Sequence, residues 1–125
     1  MKRKVLIADD TALMREMIRG ALPVEDYQIV GEATSGDKAV EIYKETKPDV
    51  MILDINMPKM NGIDALSAII EYDPEANIIM CSDQKYESMI VMALKKGAKD
   101  FIVKPFNAYD ILLAVKKIFE KEDEE

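Results

Sequence analysis

Five short apolar runs alternate along this chain with five segments of helical period, and this alternation constrains the fold more than any other feature. The runs span residues 4–8, 27–33, 49–54, 77–82 and 100–104. Four of them are nearly continuous Val, Ile, Leu and Met, which is typical of strands that are covered on both faces. The run at 27–33 contains Gln28 and Glu32, which indicates a strand nearer the sheet edge.

The segments between the runs repeat apolar residues every three or four positions, as amphipathic helices do. They span residues 13–22, 36–46, 62–72, 85–96 and about 107–120. Strands and helices in this alternation predict βαβ crossovers and a parallel sheet with helices on both faces. The length of 125 residues suits one domain. We expect residues 1–120 to form it and residues 121–125 to be a solvated acidic tail.

The composition argues against several classes of function. The net charge of −7 disfavours nucleic-acid binding, which needs clustered Lys and Arg. The chain contains no histidine, so the commonest general base and metal ligand is absent. Cys81 is the only cysteine, and we expect a buried, unreactive thiol in a cytoplasmic protein. The apolar run after the basic start MKRK is too short for a signal peptide or a membrane span.

Polar residues stand where the predicted strands end. Asp9 and Asp10 follow the first strand, and Asp54, Ser82 and Lys104 end the third, fourth and fifth. Ligands of open parallel sheets bind outside the carboxyl ends of the strands, so these side chains should meet at one edge. Each residue also has an ordinary interpretation. One of the two early aspartates or the threonine after them could cap the first helix, and Ser82 or its successor could cap the fourth.

The chemistry of such a cluster points to a phosphoryl group. Three carboxylates repel one another, and one lysine cannot neutralise all of them. A divalent cation can, and an all-oxygen set with few protein ligands suits Mg²⁺, which keeps several waters. With the cation and the lysine in place, the site can still accept a dianion such as phosphoryl. A carboxylate can attack phosphorus to form an acyl phosphate. Positioning and charge neutralisation suffice for this reaction, which fits a chain without histidine.

Three motifs carry a family resemblance: VLIADD, DVMILDINMPKMNGIDAL and GAKDFIVKPF. In this order and spacing they resemble the receiver domains of two-component response regulators, and most of all the single-domain chemotaxis regulators. The resemblance implies an α/β, flavodoxin-like (βα)₅ three-layer sandwich with a parallel sheet of order 2-1-3-4-5. It implies a monomeric switch, not an enzyme, that accepts phosphoryl on Asp54 from a histidine kinase of the CheA type. The signal would leave through protein contacts in flagellar or archaellar motility.

The same resemblance implies a role for each strand-end residue. Asp10 and Asp54 would bind Mg²⁺ directly together with the backbone carbonyl of Asn56, and Asp9 would act through water. Lys104 would pair with the phosphoryl oxygens, and its bond to the following proline would be cis.

Two further residues would transmit the switch. Ser82 would move its hydroxyl onto the phosphoryl group, and Phe101 would turn inward to fill the space. This would reshape the surface of the fourth helix, fifth strand and fifth helix, where a motor switch protein or an adaptor would bind. Candidate contacts there are Lys95, Lys96, Lys99, Tyr109 and Lys116. Phe101 lacks the hydroxyl of the tyrosine often found at its position, and ordinary core packing is its alternative interpretation.

Asp83 leaves a choice open, since receiver domains usually have a small residue directly after the hydroxyl residue. It could hinder anionic donors at the pocket rim, or it could cap a helix that begins at Lys85. A receiver-like interaction module that no longer depends on phosphorylation therefore stays an alternative. An aspartate-nucleophile phosphatase would usually carry a second carboxylate two residues after Asp54, where Asn56 stands. A flavin-binding module would need Ser, Thr and Gly in place of the acidic stretch ADDTALM.

Overall fold

The computed structural model of the protein describes residues 1–83 and 86–123, in which five strands alternate with five helices. The strands are β1 (Arg3–Ala8), β2 (Tyr27–Ala33), β3 (Val50–Asp54), β4 (Ile78–Ser82) and β5 (Asp100–Val103). The helices are α1 (Ala12–Ala21), α2 (Gly36–Thr46), α3 (Gly62–Tyr72), α4 (Glu87–Lys95) and α5 (Ala108–Asp123). The predicted alternation is confirmed.

The differences from the predicted elements lie at their ends. The bounds of β2, α2 and α3 are those predicted from the sequence. Tyr86 occupies the N-cap position of α4, so this helix begins at Glu87 and not at Lys85, which lies outside the described residues. Helix α5 continues to Asp123, past its predicted end at about Glu120.

All neighbouring strands pair in parallel, in the predicted order β2-β1-β3-β4-β5. The register aligns the carboxyl ends of the central strands. Ala8 pairs with Leu53, and Asp54 pairs with Cys81. The residues that follow β1 and β5 therefore reach the same edge as Asp54, which is the condition for a site built from several strand ends.

Helices cover both faces of the sheet, and each face has its own core. On one face, residues of β1, β3 and β4 pack with Tyr43 of α2 and Leu66 of α3. On the other face, the alternate residues of the same strands pack with Ile18 of α1 and Ile111 of α5. All five residues of β3 and of β4 are buried, as expected for central strands of a three-layer fold. Cys81 lies in the second cluster, and burial raises the pKa of its thiol. In the described part of the chain, no helix is long and apolar enough to cross a membrane.

Candidate functional site

Three carboxylates meet at the carboxyl edge of the sheet. Asp9, Asp10 and Asp54 each offer an oxygen atom, and these atoms all lie within 4.8 Å of one another. Asp9 and Asp54 are only 1% and 3% exposed, whereas Asp10 is exposed to solvent. The predicted convergence of these residues is thus observed, and an all-oxygen group of this kind is one that a small divalent cation can bind.

Lys104 reaches this group from the end of β5. Its Nζ lies 3.1 Å from Asp9 Oδ2 and 3.3 Å from Asp54 Oδ1. The ammonium therefore bridges the two buried carboxylates. The Lys104–Pro105 peptide bond is cis, as the resemblance implied.

The burial of this pair changes its acid–base properties. Burial raises the pKa of the Asp54 carboxyl to about 6, the attraction of Lys104 opposes this rise, and the repulsion of Asp9 adds to it. Burial also disfavours the charged form of Lys104, but Asp54 and Asp9 outweigh it and raise the pKa of the ammonium. At neutral pH both partners are ionised, and Asp54 carries a charge that its surroundings only partly compensate.

The turn after β1 divides the two oxygens of Asp9 between different partners. Oδ1 accepts hydrogen bonds from the backbone N–H of Thr11 at 2.9 Å and from its hydroxyl at 3.0 Å. Oδ2 accepts from Lys104. Thr11 occupies the N-cap position of α1, one of the alternatives left open by the sequence, and its hydroxyl points back to Asp9. Asp9 is thereby held in one orientation by the turn and by the lysine.

Arg15 supports this turn from α1 and is a residue that the sequence argument missed. Its Nη1 donates to the backbone carbonyl of Asp9 at 2.8 Å, and its Nε donates to Glu32 Oε1 at 2.9 Å. Arg19 also contacts Glu32, and although burial opposes it, the two arginines together lower the pKa of the Glu32 carboxyl. The available signal was an arginine among the apolar residues of α1, opposite an acid in the edge strand β2.

The loop after β3 folds back onto the end of its own strand. The backbone N–H of Gly62 donates to the carbonyl of Ile55 at 2.7 Å. A Cβ at Gly62 would lie only 2.1 Å from the carbonyl oxygen of Asp54, so no other residue fits without moving the backbone. Asn61 then caps α3 by accepting a hydrogen bond from the backbone N–H of Asp64 at 2.9 Å. Glycine and cap together fix the loop that begins directly after Asp54.

The residues after β4 correct one expectation. Ser82 is buried at the end of the strand, and Asp83 is exposed. Asp83 Oδ1 accepts a hydrogen bond from Asn56 Nδ2 at 3.2 Å, across to the loop after β3. The prediction that Ser82 or Asp83 caps α4 is wrong, because both precede Tyr86, which is the residue at the N-cap position. Asp83 is instead bonded to the loop that begins directly after Asp54.

Phe101 of β5 is half-buried and packs against the core cluster on the α2–α3 side of the sheet. Large exposed apolar or aromatic side chains on α4 and α5, and directly before α4, are Tyr86, Val91, Met92, Leu94, Tyr109 and Leu113.

The predicted contacts on this surface are exposed, with one difference in position. Lys95, Lys96, Lys99 and Tyr109 are all exposed. Lys116 is exposed too, but it borders a cavity with Arg3 and Asp26 near the starts of β1 and β2. Lys117 borders the same cavity and also a shallow groove along β5 with Asp100 and Ile102.

Comparison with known proteins assigns the family. The family model for the response regulator receiver domain matches residues 5–116. The chain belongs to this family. A receiver domain has its acidic pocket at the carboxyl edge of the sheet, where Asp9, Asp10 and Asp54 lie in this structure.

The more similar relatives are chemotaxis proteins. The receiver domain is 49% identical to the chemotaxis protein CheY of Thermotoga maritima over 118 residues, which are 94% of this chain and 98% of that protein. It is 49% identical to CheY of Bacillus subtilis over 117 residues, with the same shares. A CheX–CheY–BeF₃–Mg²⁺ complex from Borrelia burgdorferi contains a chain that superimposes with a TM-score of 0.90 at 39% identity, covering 94% of this chain and 89% of that one. The predicted family and fold are confirmed.

Proposed function

We propose that this receiver domain is a chemotaxis switch that accepts a phosphoryl group on Asp54 and signals by protein contact. One observation carries the proposal: Asp54 ends a fully buried strand, 3.3 Å from Lys104 and inside a group of three carboxylates. A charge placed there is costly unless it is used or neutralised. The relatives named CheY support the chemotaxis setting.

The donor set fits Mg²⁺, which would neutralise the carboxylates and the incoming phosphoryl oxygens. Asp9 uses both of its oxygens within the protein, so we assign it to contact the ion through water. Asp10 is exposed and would bind the ion directly, with Asp54 and the backbone carbonyl of Asn56.

The transfer needs a nucleophile and a partner for the developing charge. An Asp54 oxygen attacks phosphorus, a P–O bond forms, and the bond from phosphorus to the donor histidine nitrogen breaks. With a pKa of about 6, Asp54 is ionised at neutral pH and able to attack. Lys104 already contacts Asp54, and we assign its ammonium to the phosphoryl oxygens. Ser82, buried at the end of the next strand, is the candidate hydroxyl for the product state, with Phe101 following it inward.

The signal would leave through the surface formed by α4, β5 and α5. Its exposed apolar and aromatic side chains provide the kind of contacts on which protein interfaces depend. We propose a histidine kinase of the CheA type as donor, and a motor switch protein or an adaptor as the recipient of the signal. We further propose a monomeric, cytoplasmic protein in which residues 1–120 are the receiver domain.

The test is the intact mass after incubation with acetyl phosphate or with a phosphorylated histidine kinase, with and without Mg²⁺. We expect a base-labile phosphoryl adduct on the wild type that requires Mg²⁺ and is lost in Asp54→Asn. An adduct that still forms on Asp54→Asn would show that Asp54 is not the phosphoacceptor. A folded wild type without any adduct would favour the phosphorylation-independent interaction module, and repeated turnover of a small phosphoester would favour a phosphatase.

A further inference from the structure

A hydrogen bond joins the two loops that flank the proposed phosphoacceptor. Asn56 Nδ2 donates to Asp83 Oδ1 at 3.2 Å. Asn56 lies two residues after Asp54, and Asp83 directly follows Ser82, so the bond connects the loops after β3 and β4 beside the pocket. Both side chains are exposed. A carboxylate is therefore held at the solvent side of a pocket that is already acidic.

We propose that Asp83, held in place by Asn56, is a charge filter that slows phosphorylation by free anionic donors. The proposal rests on the proposed function, the transfer of phosphoryl to Asp54. It assigns to Asp83 a role in donor selection and no part in the chemical step.

The charges of the pocket explain why one more carboxylate matters. The negative charges of Asp9, Asp10 and Asp54 equal the positive charges of Lys104 and one divalent cation together. The loaded pocket is thus neutral and exerts little long-range attraction on an anion. Asp83 adds a negative charge at the rim, so an approaching dianion meets net repulsion.

The size of this repulsion follows from Coulomb's law. In water, the repulsion between two like unit charges about 4 Å apart is large enough to change a rate roughly fivefold. A dianion at twice that distance from the Asp83 carboxylate meets a repulsion of the same size. A monoanion at the greater distance would be slowed only about twofold. Both effects should shrink strongly at about 0.5 M salt, where the Debye length falls to a few ångströms. A donor presented by a docked kinase has other contacts that offset the repulsion, whereas a free small molecule has none.

Two substitutions separate the charge of Asp83 from its size. Asp83→Asn removes the charge and keeps an oxygen that can accept the bond from Asn56. Asp83→Ala removes the charge, the bond and the bulk. Glu25→Gln is the matched control, because Glu25 is an exposed carboxylate just before β2, at the opposite edge of the sheet.

The rate of adduct formation is measured at saturating Mg²⁺ with acetyl phosphate, a dianion at neutral pH, and with phosphoramidate, which carries one negative charge less. We expect Asp83→Asn to accelerate the first donor about fivefold and the second about twofold at low salt, and both gains to shrink at high salt. Glu25→Gln should match the wild type. Equal gains for both donors, or a gain in Asp83→Ala without one in Asp83→Asn, would overturn the charge filter.

The role of Asn56 is tested in the same assay. If Asn56 holds the carboxylate at the rim, Asp83→Asn should produce a smaller gain in an Asn56→Ala background than in the wild type. An undiminished gain would show that the hydrogen bond is dispensable. Asp54→Asn is run in parallel: absence of an adduct in every variant refutes the proposed function, whereas Asp54-dependent adducts without donor selectivity refute the filter alone.

Discussion

Replacing Asp54 with Asn should stabilise the protein in the absence of Mg²⁺, although it removes a bond to Lys104. The reason is that Asp54 is buried, ionised at neutral pH and close to a second buried carboxylate. The substitution keeps the shape of the side chain and removes the charge. Lys104 retains Asp9 as a partner, so its ammonium is not left unpaired.

The magnitude follows from the pKa of Asp54, which rises from the ordinary 3.8 of an aspartate to about 6 in the folded protein. A carboxyl with a raised pKa stabilises the folded state below pH 4, and this contribution is lost as the pH rises through 6. The free energy of unfolding of the wild type is therefore about 3 kcal/mol lower at pH 7 than below pH 4, as far as this carboxyl is concerned. The lost lysine contact offsets part of this, so the net gain for Asp54→Asn should be about 1–2 kcal/mol at pH 7.

Urea denaturation from pH 5 to pH 8 in EDTA measures the difference. The advantage of Asp54→Asn should grow by about 1 kcal/mol between pH 5 and pH 7, because the wild type loses its bound proton over this range. Glu25→Gln, which removes an exposed carboxylate, should change little. Excess Mg²⁺ should stabilise the wild type more than Asp54→Asn. If Asp54→Asn is less stable than the wild type at pH 7 in EDTA, the lysine contact outweighs burial and repulsion, and the reasoning is wrong.

Four further substitutions test other parts of the structure. Lys104→Met leaves two buried carboxylates without their cation and should cost about 3 kcal/mol in urea denaturation at pH 7, with a smaller loss at pH 5. Gly62→Ala should cost about 2 kcal/mol or more, because its Cβ would strike a backbone oxygen, whereas Gly20→Ala, with open space in α1, should gain about 0.5–1 kcal/mol. Tyr43→Phe removes a 2.8 Å hydrogen bond to Asp73, and thermal denaturation should show a free energy of unfolding that is lower by about 1 kcal/mol.

The strands and most helices were predictable because their patterns are long and unambiguous. Buried central strands read as continuous apolar runs, and the amphipathic period of α2 and α3 coincides with a starting glycine. The start of α4 was not predictable in this way. Its N-cap position is occupied by Tyr86, which is a poor cap, so the nearby Ser82 and Asp83 looked like better candidates. Cap preferences describe a local signal, and here Ser82 is buried at the end of β4 while Asp83 bonds to Asn56 in the loop after β3.

The contents of the site were predictable to the extent that strand register determines them. Parallel pairing brings Asp9, Asp54 and Lys104 to one edge whatever their rotamers are, so the strand-end rule was sufficient. Side-chain partners depend on turn geometry and rotamers, which the sequence does not specify. Asp83 shows the limit: its sequence position suits a cap or a pocket rim, and the start of α4 after Tyr86 together with the bond to Asn56 distinguishes them. Asp83, for which the sequence left two interpretations open, therefore gained its interpretation from the structure, and donor selectivity is where that interpretation has a measurable consequence.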